Sequence, residues 1–519
     1  MKRWFAPAGA ALAGAALVGV ALACAPGPAF AEEGFGRRDV DLRIFDARIL
    51  DGTGAPAVRG EIHVRDDRIV HVGPLNGAAP PSAVRLLDAL GRVVAPGFVE
   101  PHAHGNPKST PEFENFLAQG VTTITLGQDG ASPNVPSIAA WMEEVDALGL
   151  GPNLAMFVGH GTLRRQSGIG RAERPSPEQV DALIEMLDEA LDVTFGMSTG
   201  LEYTPGLYAG DDELIGLAKT VGAHDRVIMS HVRNEDDPVL ERSLAELIRQ
   251  GAHARVHVAH MKSVYGRGAA RAEALLGVLE AARADGVEIT ADVYPYTASY
   301  TGLSLLFPAW AKTREQFEEA LPMRRQALAD HLRRRVAGRN GPGATLLASP
   351  PWTGKTLEEA AAELGKPFEE ALIDDFGPDG GSAAYFIMDE DLQSTLIADP
   401  HVAICSDGSP TGFHPRGHGT FARIIETYVR ERGVLTLAEA VRKMTSLPAE
   451  ILGLEDRGAI RAGAYADLVI FDPEDVHETA TWAEPLQLAE GMDVVVVNGE
   501  IVRERGALTE SRPGRVLRP

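Results

Sequence analysis

Cysteine is scarce in this chain. There are two, Cys24 and Cys405, and Cys24 falls in an N-terminal leader expected to be removed or lipidated. Removal of the leader leaves Cys405 alone and excludes an intramolecular disulfide, so stability must come from a packed core and from metal. Positive charge is also in short supply. Forty-nine Lys and Arg stand against 73 Asp and Glu, for a net charge of -24, a balance that argues against nucleic acid or an anionic membrane as partner. A comfortable membrane span is missing as well. The apolar stretch from Ala8 to Ala23 is too short and too glycine-rich for one.

That stretch fits a secretory signal instead. Lys2 and Arg3 give a basic start, and Ala29-Phe30-Ala31 before Glu32 fits an A-x-A cleavage site. The expectation is a signal peptide over residues 1–31 and export to the periplasm or beyond, with no transmembrane span in the mature chain. Ala21-Leu22-Ala23-Cys24 offers an alternative, a lipoprotein anchored through Cys24.

What is there is ordinary globular material: 519 residues, 45% hydrophobic and 24% charged. That is too long for one average domain and enough for a large core. Short alternating runs open the chain, such as Val40-Asp41-Leu42-Arg43-Ile44-Phe45 and Ile69-Val70-His71-Val72, with Asp and Gly turns between them. The pattern returns near the end in Leu468-Val469-Ile470-Phe471 and Val494-Val495-Val496-Val497. Residues 40–92 and 455–519 are therefore expected to pair into one small β-sandwich domain.

Between them, apolar runs alternate with amphipathic stretches. The runs fall near Val93–Ala103, Val121–Leu126, Leu154–Val158, Val193–Ser198, Val227–Ser230, Val256–Ala259, Ile289–Tyr294 and Val402–Ser406. Helical patterns such as Pro177–Leu191 and Ala269–Ala284 separate many of them. Eight such units predict an α/β fold, a (β/α)8 TIM-like barrel over residues 93–454. The gap over about 297–400 is too long for one helix and is expected to be a helical insertion able to cap the site.

Active sites of such barrels sit at the C-terminal strand ends, and chemistry-bearing residues end these runs. His102 and His104 follow the first, one residue apart, so on an extended strand they share a face. His231 ends the fifth run, His260 the sixth and Asp407 the eighth. Neutral imidazole and carboxylate suit zinc and similar divalent ions. His160 ends the third run and could reach the site or support it. His63, His71, His253, His257 and His401 fall on turns, surface strands or opposite faces. Cys405 is expected to be buried rather than catalytic.

The run Pro96-Gly97-Phe98-Val99-Glu100-Pro101-His102-Ala103-His104 resembles the amidohydrolase superfamily. Gly159-His160-Gly161-Thr162-Leu163-Arg164, Ser198-Thr199-Gly200-Leu201-Glu202-Tyr203, Ser230-His231-Val232-Arg233-Asn234-Glu235, Ala259-His260-Met261-Lys262, Asp292-Val293-Tyr294-Pro295-Tyr296, Cys405-Ser406-Asp407-Gly408 and His414-Pro415-Arg416 are similar to the D-aminoacylase, or N-acyl-D-amino-acid deacylase, family. The likeness runs from about Asp39 to the C-terminus and is weakest in the insertion.

The resemblance implies hydrolysis of the linear amide of N-acyl-D-amino acids with one or two divalent ions, zinc above all. The metal activates water and polarises the scissile carbonyl, while Asp407 takes the water's proton and returns one to the leaving amine; Asp407 can also be a plain ligand. It implies too that Lys262, Tyr294 and Arg416 hold the substrate's α-carboxylate. Arg233, Asn234 and Glu235 lean to structural roles.

One departure stands out. The family commonly has a cysteine after the second strand, and Asp129 takes that place in Leu126-Gly127-Gln128-Asp129-Gly130. A carboxylate can bridge two metals as a thiolate can, though an Asp before Gly is also a common turn residue. Glu202 is a second bridging candidate. The fourth run and Thr199-Gly200 hold no lysine, which disfavours the carbamylated-lysine bridge of hydantoinase-like relatives. Two rivals remain, a cyclic amidase of the dihydroorotase or hydantoinase kind and an exported binding protein that has lost chemistry. D versus L stereochemistry, side-chain preference and oligomeric state are open at this point.

Overall fold

The computed structural model describes residues 40–519. The expected leader over 1–31 and Cys24 lie outside the described residues. The two ends of the chain build one nine-stranded sheet. Val40–Ile49 pairs antiparallel with Val58–Arg65 and parallel with Val93–Pro96. Val93–Pro96 pairs in turn with Leu468–Phe471, and that strand with Met492–Val497. The seam between the two chain ends thus runs through the middle of the sheet.

Period-two alternation explains how this sheet is buried on both faces. Leu468, Ile470, Val494 and Val496 pack with Leu42, Ile44 and Ile62 in the domain's own core. Their sequence neighbours Val469, Phe471, Val495 and Val497 join the main core of the barrel. An unbroken valine run is what such a doubly covered strand needs.

The barrel strands are Phe98–Glu100, Val121–Leu126, Asn153–Met156 continued by Val158–Gly159, Gly196–Gly200, Val227–His231, Arg255–Val258, Ile289–Val293 and Val402–Ile404. Neighbours pair in parallel from first to last. Closure comes from a parallel bridge between Ala103 and Gly408. The His104 N–H donates to the Gly408 carbonyl at 2.8 Å and the Asp407 N–H to the His102 carbonyl at 2.9 Å. Closing the barrel is therefore what sets His102 and His104 against Asp407.

The run expected as a single strand from Val93 to Ala103 divides at Gly97, its first part in the small domain and its second in the barrel. A Cβ on Gly97 would lie 2.2 Å from Thr122 Oγ1, so only glycine lets the chain pass between the two sheets there. The outer helices follow the sequence pattern. Pro177–Leu191, for instance, starts at a Ser176–Gln179 capping box and buries Leu183, Leu187 and Leu191.

The insertion expected to be helical over 297–400 is a mixed unit. Ala298–Gly302, Ser382–Phe386 and Thr345–Leu347 form a three-stranded antiparallel sheet. It shares a separate core with the helix Arg314–Gly338, built on Phe307, Phe317, Leu332 and Tyr385. Glu390–Ala398 packs on Ala269–Ala284 as an outer helix of the barrel, so the insertion ends before it. Strands of three to five residues are too short for a period to show in the sequence. No helix among the described residues is long and apolar enough to cross a membrane.

Candidate functional site

His102, His104, Asp129 and Asp407 offer ligand atoms that all lie within 4.8 Å of one another, and Asp129, His231 and His260 form a second such set. Asp129 belongs to both. One carboxylate oxygen, Oδ1, is 3.3 Å from His102 Nε2, 3.2 Å from His260 Nε2 and 3.7 Å from His231 Nδ1; the other, Oδ2, is 3.4 Å from His104 Nε2. Asp407 Oδ1 is 3.0 Å from His104 Nε2. Glu202 is placed differently. Its Oε2 lies 3.4 Å from His231 Nε2, in a third set with Glu235 that does not include Asp129.

The backbone bends sharply to achieve this. Asp129, His260 and Asp407 have φ of 54°, 37° and 50°, a left-handed region that Asp enters more readily than most residues. Neighbouring groups hold the bends. Asp292 Oδ1 accepts the His260 N–H, and Ser198 Oγ accepts the Gly130 N–H at 3.0 Å. Glu100, buried beneath, accepts from the N–H groups of His102 and Ser406 at 2.8 and 2.9 Å and so ties the first and eighth strand ends together. Burial pushes its carboxyl up to about 8.

The residues fit a divalent ion. Both ring nitrogens of His102 are buried without a hydrogen-bond partner, although Nε2 lies among carboxylate oxygens. A cation at the clusters would satisfy that nitrogen, and imidazole with carboxylate is a donor set for zinc. Burial acts to raise the pKa of Asp407, but the Arg416 guanidinium and the adjacent imidazoles outweigh it and hold the carboxyl well below the usual carboxylate range.

Lys262, Tyr294 and Arg416 assemble beside the clusters. The Lys262 ammonium is 5.6 Å and the Arg416 guanidinium 4.8 Å from the centre of the Tyr294 ring. Lys262 Nζ donates to Glu235 Oε1 at 2.6 Å and lies 2.7 Å from His260 Nδ1. Arg416 Nη1 is 2.8 Å from Asp407 Oδ2, yet Nη1 and Nε form no hydrogen bond; the contact is ionic and leaves donors for another acceptor. A cleft of about 350 Å³ opens over the clusters, lined by His104, Asp129, Tyr203, Tyr300, Asp407 and Arg416. A narrower cavity continues past His231 and His260 to Lys262 and Tyr294.

Several expected bystanders have clear positions. His160 turns to Glu213 at 2.7 Å, away from the clusters. His257 is buried and contacts Asp292 at 3.0 Å, supporting the residue that holds the His260 backbone. Cys405 is buried against Tyr294 and Tyr296. Arg233 braces a loop through Glu246 and the carbonyls of Leu207 and Ala209.

Glu235 does more than brace, because it pairs with Lys262; its place four residues after His231 was the available signal. Sequence reasoning also passed over Glu100, Tyr300 and the role of His414. The Nδ1 of His414 accepts the Arg416 N–H at 3.0 Å. Tyr300 comes from the insertion sheet, and nothing in its local sequence marks it.

Comparison with known proteins agrees with this geometry. Residues 217–503 match the model of the amidohydrolase family. The chain is 34% identical to the N-acyl-D-glutamate deacylase of Alcaligenes xylosoxydans xylosoxydans, covering 92% of this chain and 96% of that one. It is 33% identical to the D-aminoacylase of the same organism, covering 92% and 97%. Among solved structures, it resembles the N-acyl-D-glutamate deacylase of Bordetella bronchiseptica complexed with zinc and a phosphonate inhibitor that mimics the tetrahedral intermediate. That likeness has a TM-score of 0.80 at 33% identity and covers 93% of this chain and all of the other. The chain belongs to the amidohydrolase family and, within it, to the D-aminoacylase group.

Proposed function

We propose that the protein is a zinc-dependent hydrolase that splits the linear amide of N-acyl-D-amino acids into a carboxylate and a free D-amino acid. The observation that carries this reading is the pairing of two donor clusters sharing Asp129 with the Lys262, Tyr294 and Arg416 group in adjoining cavities. The deacylase relatives support the substrate class. The fourth strand, Gly196–Gly200, contains no lysine, which leaves Asp129 as the shared ligand and disfavours a hydantoinase-like centre.

A divalent ion held by His102, His104, Asp129, His231, His260 and Asp407 would lower the pKa of a water and polarise a carbonyl. Asp407, kept ionised by Arg416, accepts the proton of the attacking water as the new C–O bond forms. It then passes a proton to the amide nitrogen as the C–N bond breaks. Arg416 offers the substrate's α-carboxylate the planar donors it does not use internally, and Lys262 adds a point charge. Tyr294 fills the space between them.

The decisive assay supplies zinc-loaded protein with N-acetyl-D- and N-acetyl-L-amino acids and follows amine release. D-selective release is expected. Release from none of them would reject the reading, and turnover of a hydantoin alone would move the protein to the cyclic amidases. Export through the leader over residues 1–31 belongs to the same proposal. A mature N-terminus at Glu32 is expected, whereas a lipidated Cys24 would make the protein membrane-anchored.

A further inference from the structure

Arg339 is a buried guanidinium without a close carboxylate partner; it lies 5.0 Å over the Tyr385 ring. It caps the C-terminal end of the insertion helix Arg314–Gly338, is 3% exposed, and its Nε forms no hydrogen bond. Its contact with a carboxylate is a long one, 3.8 Å from Nη1 to Asp236 Oδ1. The Tyr265 hydroxyl lies close by and is itself buried without a hydrogen-bond partner. The helix end supplies only a partial negative charge. A buried cation left this way is costly unless something else completes it.

What could complete it follows from position. Arg339 lines the same narrow cavity as Lys262, Tyr294 and Arg416, together with Val264 and Leu305. The acids of that cavity are engaged elsewhere. Glu235 is held by Lys262 at 2.6 Å, Asp407 by Arg416 at 2.8 Å and Asp236 by Arg335 at 2.7 Å. Glu202 is shared between His231 at 3.4 Å and Arg335 at 3.6 Å. An amino acid anchored by its α-carboxylate on Lys262 and Arg416 would send its side chain into this cavity. There it meets apolar Val264 and Leu305 and the Arg339 guanidinium, whose Nε–H has no partner.

We infer that Arg339 selects substrates whose amino-acid side chain ends in a carboxylate, the inference resting on the deacylase reading above. The cavity is narrow, about 20 Å³ against about 350 Å³ for the cleft, room for little more than a water, so a bulky apolar side chain is excluded and a short acidic one enters only as the cavity widens around it. The guanidinium takes the carboxylate through paired N–H donors. A neutral amide of the same shape would leave the guanidinium's charge unmet.

The test compares kcat/KM for N-acetyl-D-aspartate with N-acetyl-D-asparagine, and for N-acetyl-D-glutamate with N-acetyl-D-glutamine, in the wild type and in Arg339→Gln. The acid is expected to win at least tenfold in one pair, and that pair gives the preferred length. Arg339→Gln should bring the ratio near one, with a larger fall in kcat/KM for the acids than for N-acetyl-D-alanine. Equal or better use of the amides, or an unchanged ratio in the variant, overturns the inference and returns Arg339 to a brace for Asp236. If Arg339→Gln does not fold, the thermal shift of the zinc-loaded wild type with free D-aspartate against D-asparagine reads the same pocket. A larger shift with the acid supports the inference, and equal shifts overturn it. Release of amine from no N-acyl amino acid at all would instead reject the deacylase reading, and the thermal shifts would still decide the pocket.

Discussion

Asp129→Asn separates a ligand from a turn residue. Asparagine tolerates the left-handed backbone at φ 54° about as well as aspartate, so the loop before Gly130 keeps its shape and the carboxylate charge is what is lost. That charge sits within 3.7 Å of four imidazoles, so both metal sets weaken together. Removing a residue behind the ligands of a metal site lowers affinity about 10–100-fold; removing a ligand itself should lower it by at least about 100-fold, or roughly 2.8 kcal/mol. At zinc well above both dissociation constants, most of that appears as lost stability. About 480 described residues at roughly 2.1 cal/mol/K each give an unfolding entropy near 1 kcal/mol/K, hence a Tm lower by about 3 °C. Metal analysis after dialysis should show the Asp129→Asn variant with less metal than the wild type, and calorimetry with and without chelator should show the smaller metal-dependent shift. Unchanged stoichiometry together with an unchanged chelator effect would refute the shared-ligand reasoning and leave Asp129 as a turn residue.

Three further outcomes are expected. Asp407→Asn weakens only the first of the two donor sets, so assayed at saturating zinc it should still load metal yet lower kcat by about 10²–10⁴-fold, the range of general acid–base catalysis; wild-type turnover would remove Asp407 from proton transfer. Lys262→Met should raise KM for N-acyl amino acids by about 10–100-fold, in line with loss of a hydrogen bond to a charged group, and equal damage on amides lacking the carboxylate would reject that contact. Lys443 is buried with its ammonium on the Asp399 carbonyl, and burial brings its pKa from 10.5 down to about 7. The unfolded chain then binds the proton more tightly, so stability rises with pH between about 7 and 10.5, and the full penalty is present below about 7. At 1.36 kcal/mol per tenfold change the penalty is roughly 5 kcal/mol. Lys443→Met should therefore raise Tm at pH 6 and do so less at pH 10; a loss of Tm that is the same at both would sink this account.

The barrel was legible because each strand is a short apolar run and the helices between carry clear periodicity. Two features escaped for a common reason, since each depends on a partner distant in sequence. The division of Val93–Ala103 at Gly97 comes from Thr122 standing 2.2 Å from where a Cβ would be. The sheet in the insertion comes from pairing Ala298–Gly302 with Ser382–Phe386 across some eighty residues. Its strands are too short to show a period, so only its helices, Arg314–Gly338 and Leu357–Leu364 among them, match what the sequence led one to expect.

The site divides along the same line. His102, His104, Asp129, His231, His260 and Asp407 ride on the ends of barrel strands, so a short-range pattern and the geometry of closure bring them together. Tyr300 and Arg339 reach the cleft and its inner cavity from the insertion, whose seat over the barrel is fixed by long-range packing and not by any local motif. Metal and bond-breaking groups are therefore readable along the chain, while the groups that choose a side chain are not. If Arg339 sets that choice, then relatives with the same histidines and aspartates can differ in substrate through the insertion alone. Exchanging insertion residues, and leaving every strand end untouched, should then move the ratio of acidic to neutral substrates without changing the metal content.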